Sequence, residues 1–251
     1  MKKIITNDGS VSFLNEEINE AYHSTSGALE ESFEKFAKPC SLKDGMKVLD
    51  ICFGIGYNSL AAISLADVSI VELEKDLNIL KEIKNIEVPE ELRENYGKIK
   101  SFVEDFIKNQ ENTEKINNEK GFNGGKSIEK VKIQKNSGKN PIKKEKANEI
   151  IRYEDKKRKI TLIIGDARQT IKSLNEKFDA VFLDPFSQKK CPELWTKEFF
   201  DDIFRLMDKN TVLTTYSCAR IVRDSLKAAG FEVKDGPAIG RRSPATIAIK
   251  N

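Results

Sequence analysis

At 251 residues the chain suits one α/β domain carrying an insertion better than two full domains. Hydrophobic residues make up 39% and charged residues 33%, with a mean hydropathy of −0.49, so some stretch adds little to a core. The longest apolar runs are too short to cross a bilayer, Met1-Lys2-Lys3 leads into no signal-peptide core, and four scattered cysteines with a single histidine form no metal-ligand pattern; a cytoplasmic protein with no membrane contact and no metal is expected.

The chain opens as a hairpin, with Lys3 to Thr6 and Val11 to Phe13 joined across Asn7-Asp8-Gly9. A helix is predicted from Ala28 to Ala37, with Leu29, Phe33 and Phe36 on one face and Pro39 closing it. Residues 1–39 therefore read as an N-terminal cap and residues 40–251 as the core. From Met46 onward short apolar strands alternate with amphipathic helices: Lys47–Cys52, Val68–Leu73, Ile160–Ile164, Asp179–Leu183 and Thr211–Tyr216. That alternation predicts a mostly parallel, Rossmann-like α/β sheet covered on both faces. Phe231–Val233 and Thr246–Ile249 leave no room for a crossover helix between them, so the sheet should close on an antiparallel hairpin.

A flexible, basic insertion is expected at about residues 85–159. Its middle, from Asn109 to Lys146, is Lys-, Asn-, Glu- and Gly-rich with almost no large apolar residues, too little to offset the entropy of ordering. The charge is local, since residues 108–160 hold sixteen Lys/Arg against eight Asp/Glu. Such a segment either attracts a nucleic acid through screened charge or reflects biased composition alone.

The first core strand runs into Asp50-Ile51-Cys52-Phe53-Gly54-Ile55-Gly56-Tyr57-Asn58. Glycines at 54 and 56 permit a tight strand-to-helix turn and let a ligand approach the backbone at a helix N-terminus, although an ordinary turn would use the same residues. Acids follow at the carboxyl ends of the next three strands: Glu72 or Glu74, then Asp166 before Ala167, then Asp184 before Pro185. Open parallel sheets bind ligands at those ends. In a nucleoside-binding sheet the second-strand acid would take the ribose hydroxyls and Asp166 the adenine amino group. Taken singly, each acid could equally cap a helix.

These motifs resemble the class I S-adenosylmethionine methyltransferases. More specifically, Tyr22-His23-Ser24-Thr25-Ser26-Gly27-Ala28-Leu29-Glu30-Glu31, Phe178 to Phe186, Lys190-Cys191-Pro192-Glu193-Leu194-Trp195-Thr196 and Ala228-Ala229-Gly230-Phe231 are similar to the methyltransferase domain of the MnmC family, which makes 5-methylaminomethyl-2-thiouridine in tRNA. No flavin-binding second domain follows Asn251, so the chain looks like the stand-alone members, and Pro185 stands where that family's glycine is expected.

The resemblance implies S-adenosyl-L-methionine as cofactor, held by Ser24, Asp50, Gly54, Gly56, Asn58, Glu74 (favoured over Glu72), Asp166 and Ala167. It implies N-methylation of the 5-aminomethyl group of a wobble uridine in the tRNA anticodon stem-loop, with a separate flavin-dependent enzyme acting upstream. Asp184 would orient or deprotonate the amine, with Lys190 helping to close the site unless it simply faces solvent. Tyr22, Phe186 and Trp195 offer flat faces for a splayed base, with buried core as the competing role for Trp195. Arg223 and Arg241 would meet phosphates. Two other readings share the motifs: an aminopropyltransferase of the spermidine-synthase kind, and a non-catalytic RNA-binding module with a nucleoside pocket.

Overall fold

The computed structural model describes residues 1–119, 149–240 and 242–251. Strands β1 (Lys2–Ile5), β2 (Val11–Asn15) and β3 (Glu20–Ala21) form a small antiparallel sheet, one strand more than the expected hairpin. Its first turn also starts the following helix. Ser10 Oγ accepts the Ala28 N–H at 3.1 Å, and Asp8 Oδ2 accepts that of Glu30 at 3.0 Å, satisfying amide groups that a helix start leaves free. Helix α1 (Ala28–Glu31) widens into a π-helical segment, Ser32–Ala37, and buries Leu29 and Phe36 as predicted.

Among the described residues the core sheet has eight strands. Named in chain order, they are β4 (Lys47–Ile51), β5 (Ser69–Glu74), β6 (Glu149–Glu154), β7 (Lys159–Ile164), β8 (Phe178–Leu183), β9 (Met207–Thr215), β10 (Glu232–Asp235) and β11 (Thr246–Lys250). Their spatial order is β10-β11-β9-β8-β4-β5-β7-β6. The five central strands are parallel, and antiparallel pairs close both edges. The chain moves outward from β4 through β5 to β7, then returns to β8 on the other side of β4. The strand order therefore reverses at β4, where such sheets open a crevice at their carboxyl ends.

Helix α2 (Tyr57–Leu65) is buried from Tyr57 to Ile63, because the sheet, the cap and a later helix all pack on it. That later helix, α4 (Arg93–Glu119), follows α3 (Leu77–Glu82) and corrects the expected boundaries of the insertion. Tyr96, Ile99, Val103 and Phe106 recur at helical spacing on one buried stripe, and the Tyr96 hydroxyl donates to the Ile55 carbonyl at 3.0 Å. On the far side, β6 pairs with β7 along six residues. Both flanks of the 85–159 segment are thus packed structure, while residues 120–148 of the expected insertion lie outside the described residues. The other sheet face carries α5 (Ala167–Ser173), α6 (Lys197–Leu206) and α7 (Arg220–Ala228).

Two acids sit inside the sheet rather than at its edge. Asp50 and Glu72 are register partners on β4 and β5, and both are fully buried. Ser59 Oγ donates to Asp50 Oδ2 at 2.9 Å, while Asp50 Oδ1 and both Glu72 carboxylate oxygens have no partner. Burial pushes the Asp50 pKa up to about 7; burial first and the Asp50 charge second push Glu72 well above the ordinary carboxylate range. A carboxyl whose pKa is raised by folding stabilises the protein fully below its unfolded value of about 4, and loses that contribution as pH rises through the folded value. The melting temperature is therefore expected to fall from pH 5 to pH 8, and to fall less in Glu72→Gln, as thermal scans across that range would read. Parallel slopes for the two proteins would refute a protonated pair.

Candidate active site

The crevice at the strand switch is a cavity of about 440 Å³, within the span typical of small-molecule sites. Its walls come from β3 and the segment after it, the turn after β4, and the carboxyl ends of β5, β7, β8 and β9. The turn is shaped by Cys52, Gly54 and Gly56, all at positive φ (72°, 59° and 81°). At Gly54 the cavity reaches the backbone itself: an added Cβ would stand 3.6 Å from the Tyr22 ring, narrowing the space between cap and core. Gly56 does a different job and does not line the cavity. A Cβ there would lie 2.7 Å from the Phe53 ring and 3.1 Å from Ile99, so the glycine makes room for core packing.

Glu74 lines the cavity at the end of β5, whereas Glu72 is two residues deeper in the sheet. Glu74 Oε2 accepts the Gly54 N–H at 2.8 Å, and Oε1 accepts those of Lys75 and Asp76 at 2.7 and 2.8 Å. Burial still raises its pKa against those bonds. Asp166 lies at the end of β7 and caps α5 through the Arg168 N–H. The Arg168 guanidinium folds back onto it, and that bond, the largest influence, lowers the Asp166 pKa. Ala167 and Ser24 also line the cavity.

Asp184 stands at the end of β8. Its N–H donates to the Ile51 carbonyl at 3.1 Å, and its Oδ2 accepts from Asn58 Nδ2 at 2.9 Å. Burial, then the charge of Glu31, push its pKa well above the carboxylate range. Tyr22 and Phe186 meet edge to face at 4.9 Å on the cavity wall, and Tyr22 donates to Asp76 Oδ2 at 2.7 Å. From β3, Glu20 accepts the N–H and hydroxyl of Ser187, both at 2.6 Å, which ties the cap to the loop after β8.

Several predicted site residues fall elsewhere. Asp50 and Asn58 lie behind the wall, the first under Ser59 and the second bonded to Asp184. Trp195 is core: only 4% exposed, it donates its indole N–H to the Phe186 carbonyl and packs against Tyr216. Arg223 spends its guanidinium on Thr246, Asp235 and the Ala245 carbonyl, joining α7 to the closing hairpin, so phosphate contact would have to compete with those bonds. Lys190 is exposed and outside the cavity lining, and Arg241 lies outside the described residues.

Other lining residues were not singled out from the sequence. Tyr216 follows β9 and donates to the Pro185 carbonyl at 3.0 Å, a strand-end position that topology could have flagged. Glu31 and Asp76 are the others that matter, and neither belongs to a strand end. Among the described residues, no cluster of three or more His, Cys, Asp or Glu side chains is arranged to hold a metal, and no helix is long and apolar enough to cross a membrane.

Residues 129–251 match a family model described as S-adenosyl-L-methionine-dependent methyltransferase. Over 251 residues the chain is 30% identical to an uncharacterized protein of Methanocaldococcus jannaschii, covering 98% of this chain and 58% of that protein. Over 83 residues, 33% of this chain, it is 45% identical to the tRNA 5-methylaminomethyl-2-thiouridine biosynthesis bifunctional protein MnmC of Pseudomonas syringae, of which this stretch is 12%. A crystal structure of MNMC2 from Aquifex aeolicus superposes with a TM-score of 0.71 at 30% identity, over 99% of this chain and 70% of that one. The chain thus spans little more than half the length of the first of these relatives and a small part of the second.

Proposed function

Since the chain belongs to the S-adenosyl-L-methionine-dependent methyltransferases as an MnmC-like member, we propose that it methylates the 5-aminomethyl nitrogen of a wobble uridine in tRNA. The observation that carries this reading is Asp184, a carboxylate whose pKa is pushed up, lining an acidic cavity of small-molecule size beside an aromatic pair.

The residues present suit the cofactor. Gly54 gives backbone access, and Glu74 and Asp166 stand at successive strand ends as acceptors for ribose hydroxyls and an adenine amino group. When bound, S-adenosyl-L-methionine supplies an activated methyl group with a built-in leaving group. The protein has to present a neutral amine in line with that methyl, and orientation of this kind is worth roughly 7–11 kcal/mol in favourable cases. Asp184 accepts an N–H of the amine, aligns its lone pair and takes its proton. Tyr22 and Phe186 flank the base, and the Glu20–Ser187 bond holds the cap across the cavity. The basic stretch at 108–160 supports a polyanionic partner.

The test is incubation of the purified protein with S-adenosyl-L-methionine and tRNA carrying the unmethylated aminomethyl group, followed by nucleoside mass spectrometry. The expected product is 5-methylaminomethyl-uridine or its 2-thio form; no mass gain on that nucleoside would reject the substrate. Calorimetry should show preference for S-adenosyl-L-methionine over its decarboxylated form. The reverse preference would favour aminopropyl transfer, and binding of neither would favour a non-catalytic RNA-binding module.

A further inference from the structure

The wall that carries the half-buried Asp184 also carries a buried carboxylate from the cap. Glu31, the last residue of α1, is only 7% exposed and lines the cavity. Its geometry is fixed from behind: Lys35 Nζ lies 2.6 Å from Oε1, and the Ser24 N–H donates to Oε2 at 3.2 Å. Lys35 is 1% exposed and does not line the cavity, so the pair is a dipole with its negative end toward the ligand space. Such a pair is costly to bury, and its inward-facing carboxylate is suited to a cation.

The surroundings have the same sign. Seven carboxylate residues line the cavity against one lysine, Lys75, which selects for cations and against phosphate. Most of the seven are already engaged. Glu74 takes three backbone N–H groups, Glu20 takes Ser187, Asp76 takes Tyr22 and Asp166 takes Arg168. After burial, Glu31 is the strongest charge acting on Asp184, which puts the two carboxylates within electrostatic reach of each other. Asn58, which donates to Asp184, is itself 97% buried and keeps its Oδ1 without a partner. Asn58 lies behind the wall and serves only to hold Asp184, so the two lining carboxylates are the acceptors open to a donor with several N–H groups, and a primary ammonium has three.

We propose that Glu31 is a binding residue for a primary ammonium, clamping it together with Asp184. Given the methyl-transfer reading, that ammonium comes from one of two sources: the amino-acid end of the methyl donor, or the aminomethyl arm of the acceptor.

The full chain with Glu31→Gln separates them by calorimetry and kinetics. The ligands are S-adenosylhomocysteine, which has the ammonium, and 5′-methylthioadenosine, the same nucleoside thioether without it. Loss of about tenfold or more in affinity for the first, with the second unchanged within about twofold, assigns Glu31 to the donor. Unchanged binding of both, with KM for aminomethyl-bearing tRNA raised about tenfold or more, assigns it to the acceptor. Wild-type values throughout, or equal losses for both thioethers, overturn the proposal. Glu31→Gln/Lys35→Met removes the whole buried pair and so leaves no unpaired lysine; it should keep methylthioadenosine affinity and repeat the selective loss, and failure to do so likewise overturns the proposal. Failure of the wild-type protein to bind S-adenosylhomocysteine would instead reject the methyltransferase assignment on which the clamp's ligand rests.

Discussion

Asp184→Asn is expected to slow single-turnover methyl transfer by about 10²–10⁴-fold, the usual worth of a positioned proton acceptor, while the fold and the binding of 5′-methylthioadenosine survive. Asparagine keeps the size and the planar end group, and the backbone bond to Ile51 is untouched, as is the Tyr216 bond that fixes the neighbouring Pro185 carbonyl. What is lost is a group able to take a proton. A second readout follows from the raised pKa. Burial and Glu31 favour the protonated acid, and an arriving sulfonium favours the carboxylate. Binding of S-adenosyl-L-methionine should therefore release a proton and tighten as pH rises, and Asp184→Asn should flatten both effects. Calorimetry in buffers of different ionisation heat measures the proton, and quench-flow measures the rate. A near-wild-type single-turnover rate would remove Asp184 from the chemistry.

Gly56→Ala is expected to cost about 2–5 kcal/mol of stability, combining roughly 1–2 for a side chain in the left-handed region with roughly 1–3 for overpacking. The backbone stands at φ 81°, and the new methyl would meet the Phe53 ring at 2.7 and 2.8 Å, where close-packed neighbours leave the ring no easy retreat. For a domain of this size that is a fall of roughly 5–20 °C in melting temperature, read by thermal scanning. Gly54→Ala is the contrast. Its methyl would find only ordinary contacts at 3.6 and 3.9 Å, so it should keep more stability and instead weaken cofactor binding by narrowing the cavity. A Gly56→Ala protein that melts with the wild type would show that the loop relaxes at little cost.

The same pair of glycines marks what was readable along the chain. Strand-length apolar runs, the Gly54/Gly56 turn and acids at strand ends are local signals, and local sterics and hydrophobic periodicity set them, so the parallel sheet, its closing hairpin and the Glu74–Asp166–Asp184 series were legible. Helix α4 was missed. Its apolar residues at 96, 99, 103 and 106 have helical spacing, which the polar run after Asn109 obscured.

Depth, partnership and facing were decided only by tertiary structure. Glu72 and Glu74 share one face of β5, so alternation cannot separate them; the register with β4 buries the first beside Asp50 and leaves the second at the open edge. Trp195 is an aromatic in a site-like motif, and only the packing of Tyr216 and the Phe186 carbonyl sends it to the core. Arg223 finds its partners on β10, β11 and the loop just before β11, in the closing hairpin, and Glu31 reaches the cavity because the cap folds across the sheet edge. Each of these outcomes depends on which distant segment a side chain meets, and that meeting is fixed by the burial of the whole core rather than by any local pattern.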